Sequence, residues 1–232
     1  MLPIRLAAAG TAALLLTAAS ANRFASAPRA ADVRPSPGAA LGSIEGHVTL
    51  SRAAPRRVAN RYPGEGGGAA HQVGNVPPVA YIVGPVAGSR AAAGERPRLS
   101  QQDTSFRPAV LVVPVGTSVD FPNRDPFFHN VFSYSSTKRF DLGRYPRGES
   151  RTVVFDKPGV VKVYCEIHQW MRTAVVVVEN PFHDQVAADG RFSITGVPAG
   201  RYRLAVFDFD RGQRIVDVTV PASGAARVDV TL

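Results

Sequence analysis

The 232-residue sequence has one cysteine, Cys165, so no disulfide can form within the chain. It also has almost no helical periodicity. Its apolar residues fall in short valine-rich runs between Gly/Pro turns, which excludes a helical bundle and predicts an all-β sandwich or barrel. After residue 19 there is no long apolar run. Lys and Arg number 27 against 18 Asp and Glu, a formal charge of +9, yet no basic helix or nucleic-acid motif is present. The arginines are scattered through "SRAAPRRVANRYPG", "TKRF" and "GRYPRGESR". They are read as solvated charge favouring an acidic protein partner, not nucleic acid. The five histidines include no His-x-His pair, and no hydrolase triad is evident.

At the N-terminus, Arg5 precedes the uncharged stretch "LAAAGTAALLLTAA" (Leu6 to Ala19). Its length suits the roughly 7–15 residues of a secretory apolar region and falls short of the roughly 20 needed to span a bilayer. Ala19-Ser20-Ala21 fits a cleavage site, and Ala25-Ser26-Ala27 is a second candidate. No cysteine follows that could take a lipid anchor. The expectation is a signal peptide over residues 1–21, an Ala/Pro/Ser-rich linker over 22–41, and a mature chain in the periplasm or secreted. The competing reading is an uncleaved anchor. Loss of Arg5 alone would leave the mature charge at +8.

Strands are predicted at Ser43 to Leu50, with Ile44, Val48 and Leu50 on one face, and at "VAYIVG" (Val79 to Gly84). Others are predicted in "PAVLVVPVGTSVDFPN", "HNVFSYS", "SRTVVFDKPGVVKVYC" and "RTAVVVVEN". The unbroken valines of the last imply a strand buried on both faces. Loops are predicted between Leu50 and Val79, the first of them long, and over residues 85–102. Asp189-Gly190 and Pro198-Ala199-Gly200 read as turns in a C-terminal β block.

An exported thiol is exposed to oxidation, so an odd cysteine suggests intermolecular pairing, a reactive thiol or a metal ligand. In "YCEIHQWM" (Tyr164 to Met171), Cys165 is followed by His168 and Met171 just after a predicted strand. A thiolate, an imidazole and a thioether suit copper, but the electron-transfer copper site needs a second imidazole. His129, in "FPNRDPFFHNVFS" at the start of a strand, can supply it if two neighbouring strands bring the positions together. The alternatives are a cysteine that only fills the core and a methionine that only packs. His47 and His71 read as surface residues, and His183, in "NPFHDQ" nearer the copper loop in sequence, is weighed as a ligand and set aside.

"FPNRDPFFHNVFS" resembles the first-histidine segment of plastocyanin-like cupredoxins. "PGVVKVYCEIHQWM" resembles their closing loop, with a C-x2-H-x2-M spacing similar to that of amicyanin. The resemblance covers about residues 104–180. It implies a Greek-key β-sandwich binding one type 1 copper through His129, Cys165 and His168, with Met171 axial. It also implies that the Asn130 backbone N–H supports the Cys165 sulfur, and that Asn123 and Tyr164 brace or pack. "GRFSITGVPAGRYRLAVFD", with "GSIEGHVTL" and "VAYIVG", resembles the carboxypeptidase-regulatory-like or transthyretin-like module, a prealbumin-like sandwich.

The expected domains are residues 42–102 and 181–232 as two parts of that module, with the cupredoxin domain at 103–180 between them. The combination resembles exported methylamine-utilisation-like cupredoxins. It implies a non-enzymatic electron carrier that meets a redox partner protein near His168 and Trp170, on a face with Ile167, Phe127 and Phe128. The competing classes are a copper-delivery protein, a non-redox binding module, and a copper enzyme in which Met171 does not bind.

Overall fold

The computed structural model describes residues 40–51, 74–89 and 95–232. The expected signal peptide, nearly all of the linker, most of the long loop before Val79, and His71 lie outside the described residues. Among the described residues the regular structure is entirely β. In chain order the strands are β1 (Leu41–Thr49), β2 (Val79–Ile82), β3 (Ser100–Gln102), β4 (Ser105–Arg107), β5 (Val110–Pro114), β6 (Thr117–Pro122), β7 (His129–Tyr134) and β8 (Arg139–Tyr145). They continue with β9 (Ser150–Phe155), β10 (Gly159–Tyr164), β11 (Arg172–Val178), β12 (His183–Gln185), β13 (Arg191–Pro198), β14 (Gly200–Asp208), β15 (Gly212–Val220) and β16 (Ala225–Thr231).

The central strands form a five-stranded sheet in the order β5-β11-β10-β7-β8, with the pairs β6-β9 and β3-β4 beside it. One core joins them, built around Val119, Phe121, Val131, Tyr145, Phe155, Val163 and Val175. Val115 and Gly116 carry the chain from β5 in the sheet to β6 in the ribbon. Gly116 sits at φ +87°, where a side chain would be strained, and its N–H donates to the Phe155 carbonyl at 2.7 Å.

The outer strands form two further sheets, β13-β1-β16 and β12-β2-β14-β15, with Ile44, Ile82, Phe192, Ile194 and Leu204 in the core between them. Here β1 pairs antiparallel with β13 and parallel with β16, while β2 pairs with both β12 and β14. Strands from before and after the central unit therefore share these sheets. Gly46 lets β1 pass under the Phe192 ring, since a Cβ there would collide with that ring and with the Val228 carbonyl. The face predicted for β1 is half right: Ile44 and Val48 are buried, but Leu50 lies past the strand end and is exposed.

A third core joins the two units, and β11 makes it possible. Val175 and Val177 face the central core, while Ala174, Val176 and Val178 face Val79, Tyr81, Ala205 and Phe207 of the outer unit. The valine run is thus buried on both faces, as its lack of alternation predicts. Full burial of a valine-sized side chain is worth about 1.5–3 kcal/mol, so this strand is a large local source of stability. Where the chain leaves β11, buried Asn180 donates through Nδ2 to the carbonyls of Ile82 (2.8 Å) and Gly84 (2.6 Å) and accepts from the Phe182 N–H at 2.9 Å.

The loop predicted over residues 85–102 is ordered at its end. Leu99 enters the central core, its N–H donates to the Asp120 carbonyl at 2.8 Å, and β3 forms a hairpin with β4. One apolar residue among polar ones shows no period two, so only the tertiary contact reveals the strand.

The shared third core should make the two units unfold together. Phe207→Ala should cost about 3–5 kcal/mol. It should also shift the Trp170 fluorescence transition and the far-UV transition in denaturant by the same amount. Separate transitions would show that the interface does not couple them.

Candidate metal centre

His129, Cys165 and His168 meet at one point. His129 opens β7, and Cys165 directly follows β10, whose last residue, Tyr164, pairs across to Phe132 of β7. That pairing brings together His129 and Cys165, which are 36 residues apart. After Cys165 the chain loops to β11, and Tyr164 and Arg172 are the last strand partners before the loop. The loop is tied internally: the Cys165 N–H donates to the Met171 carbonyl (3.2 Å), and the Met171 N–H donates to the His168 carbonyl (2.9 Å).

The Cys165 sulfur lies 3.7 Å from His129 Nδ1 and 3.8 Å from His168 Nδ1, and the two Nδ1 atoms are 3.1 Å apart. A point roughly 2.1 Å from all three exists at the centre of this triangle. That fits the range of about 2.0–2.3 Å for nitrogen and sulfur ligands on a transition metal. His129 and Cys165 are buried, and His168 is half-buried. Met171 is buried in the same apolar core as Cys165. The structure thus brings together three of the sequence-predicted site residues at ligand spacing, with the fourth packed in their core. His47 is exposed on β1 with Nε2 at the Asp189 carbonyl, and His183 is exposed on β12.

Sequence reading missed Asp125. Its carboxylate accepts the Asp103 N–H (2.7 Å), the Thr104 N–H (3.0 Å) and His129 Nε2 (2.8 Å). Burial pushes the Asp125 carboxyl up, but the His129 hydrogen bond and the two backbone donors outweigh it and hold the group below its ordinary range. An ionised carboxylate only accepts, so Nε2 carries the imidazole proton and the Nδ1 lone pair faces the cluster. Burial lowers the His129 pKa, and Asp125 opposes that only in part, so the ring is held neutral. A neutral, oriented imidazole with its far nitrogen on a carboxylate is the form that binds metals.

Asn123 accepts the Asp125 N–H at 2.9 Å and donates to the carbonyls of Phe127 and Tyr145, so it braces the segment before β7. Asn130 is buried and donates from its side chain to Asp141 at 2.8 Å. Phe127 lies 5.3 Å from the His129 ring and 5.4 Å from the His168 ring, and Trp170 lies edge-on to His168 at 5.2 Å. Ile167 and Trp170 pack against the central core, while Phe128 is 54% exposed.

No protein-family model matches the sequence, nor does any curated protein sequence. Among solved structures the chain is similar to a Cu-containing nitrite reductase from Thermus scotoductus. That match has 30% identity and a TM-score of 0.36, and covers 41% of this chain but only 25% of the reductase. It is also similar to a purple cupredoxin from Nitrosopumilus maritimus, at 28% identity and a TM-score of 0.32, over 35% of this chain and 98% of the other. A mutant amicyanin in the Cu(I) form matches at 22% identity and a TM-score of 0.34, over 42% and 97%. With TM-scores this low, the metal reading rests on the donor geometry.

Replacing the carboxylate by an amide leaves Asp125→Asn unable to accept from all three donors. This variant should bind divalent copper about 10–100-fold more weakly than the unaltered chain, the usual cost of losing such a partner. Competition against a chelator measures the change, and equal affinity would show that Asp125 only holds the turn at Asp103 and Thr104.

Proposed function

We propose that this chain is an exported copper protein that carries single electrons between redox partners, in which His129, Cys165 and His168 would be the strong ligands and Met171 the weaker fourth. The donor triangle carries the reading, because two imidazoles and a thiolate with a thioether nearby form the donor set of blue-copper electron-transfer sites. When bound, copper supplies a one-electron Cu(II)/Cu(I) couple. Asp125 orients His129, and the loop hydrogen bonds fix the backbone around His168 and Met171. The Asn130 backbone N–H is assigned to support the Cys165 sulfur, its strand position steadied by the side-chain bond to Asp141.

A carrier is favoured over an enzyme by the donor set: Met171 is buried in the same core as Cys165, so a thioether is at hand for the position that a catalytic metal site keeps open for substrate.

Half-buried His168 is the exchange point, within an apolar patch that includes exposed Phe127 and Phe128. Arg107 and Arg124 are exposed in the segments on either side of Asp125's hydrogen bonds, which suits an acidic partner. Export rests on the N-terminal sequence. No described helix is long and apolar enough to cross a membrane.

Adding Cu(II) to the chain without residues 1–21 should produce an intense visible band and narrow copper hyperfine splitting. Ascorbate should bleach the band, and an oxidant should restore it. Cys165→Ser should abolish the band, whereas Met171→Leu should keep copper and shift the reduction potential. A colourless mixture with the unaltered chain would remove the basis for the proposal.

A further inference from the structure

The loop from Cys165 to Met171 is gripped from outside the unit that contains it. Arg172, next to Met171, donates through Nη1 and Nη2 to the two carboxylate oxygens of Asp210 at 2.6 and 2.8 Å. Its Nε donates to the Gly74 carbonyl at 3.0 Å, and its guanidinium stands 4.7 Å over the Phe209 ring. The Gly74 N–H donates in turn to the Trp170 carbonyl at 3.0 Å. This approach is close, since a Cβ on Gly74 would lie 3.2 Å from the Arg172 carbonyl oxygen.

At the other end of the loop, Tyr164 packs edge-on to Phe209 at 5.7 Å. Tyr164 and Arg172 are strand partners, so both residues at the base of the loop rest on one phenylalanine. Gly74 leads into β2, and Phe209 and Asp210 form the turn between β14 and β15. All three belong to the outer unit.

The Arg172–Asp210 pair differs in kind from the solvated ion pairs of the surface, such as Arg144–Glu166. It is bidentate, and the two side chains are only 17% and 33% exposed, whereas those of Arg144 and Glu166 are 63% and 61% exposed. A bidentate, partly desolvated pair with a stacked guanidinium holds geometry in a way that a solvated pair does not. The grip also acts where packing is incomplete. Among the described residues, a cavity of about 140 Å³ is bounded by Gly74, Phe106, Trp170, Met171 and Arg172.

We propose that the outer β unit is a working part of the metal centre: Asp210, Phe209 and Gly74 clamp Arg172 and the Trp170 carbonyl, and so fix the loop that carries His168 and Met171. Arg172 and Asp210 are positioning residues that act through the loop backbone. The consequence for copper rests on the function proposed above, but the clamp itself can be read without metal.

The test uses the whole chain with Asp210→Asn, and Arg172→Lys as a second variant that keeps the charge but loses the fork. Asp156→Asn serves as the control, because its pair with Lys138 lies in the turn before β10, at the opposite end of that strand from the loop. In the metal-free protein, amide exchange at Cys165 and Met171 should accelerate about tenfold or more in both clamp variants, the scale of losing hydrogen bonds to a charged group. Exchange at Val119 and Val153 should stay unchanged, which shows that the fold persists. In the copper-loaded protein, both variants should release copper to a chelator faster and alter the visible spectrum, while Asp156→Asn does neither. Unchanged exchange at Cys165 and Met171 in both variants overturns the clamp. If the unaltered chain takes up no copper, the proposed function fails, and the metal-free exchange still decides the clamp.

Discussion

Three polar donor atoms within 4 Å of one another at the edge of an apolar core are the constraint on which the rest depends. Bringing such groups out of water is costly unless each is given a partner. The protein meets that cost for His129 by giving its outer nitrogen a carboxylate. Asp125 is satisfied in turn by two backbone N–H groups of the turn at Asp103 and Thr104. Both turn residues hold positive φ, at 54° and 50°, a conformation uncommon outside glycine. Local strain, a buried carboxylate and an oriented imidazole therefore form one connected arrangement, with three lone-pair-bearing atoms left facing a common centre.

Rigidity around that centre comes from the same contacts that hold the two β units together. β11 begins at Arg172, directly after the loop, and buries valines into two cores at once. One face anchors the loop to the sheet carrying His129, and the other anchors it to the outer unit. A site built this way has little freedom to rearrange, which suits the one-electron exchange proposed for it. Half-burial of His168 under Phe127 and Trp170 leaves one imidazole as the point of contact with the outside.

Much of the site was legible because its chemistry resides in rare residue types. A lone cysteine followed by histidine and methionine admits few readings, and a histidine at a strand start supplies what the set lacks. The fold class was equally legible, because valine runs broken by Gly/Pro turns leave little room for helices. The supports were hidden for a different reason. Asp125, in "NRDPFF", has the look of a turn residue, and nothing local shows that its carboxylate faces inward. Asp210 is separated from Arg172 by 38 residues and from Gly74 by many more. β3 is wholly polar, with one apolar residue, Leu99, just before it, and becomes recognisable as a strand only through its pairing and burial.

The order of residues alone determined which atoms are available: one cysteine sulfur, a small number of imidazoles, and a β-forming chain too valine-rich to be anything else. Tertiary structure decided which of those atoms meet and how they are held. It set Cys165 and His129 side by side and kept His47 and His183 away from them. It also placed Asp125 behind His129 and set Phe209 and Asp210 against the base of the loop. The reason is that donor identity is a property of single side chains, whereas donor spacing is a property of strand pairing. Strand pairing, in turn, is settled by which faces bury together across the whole molecule.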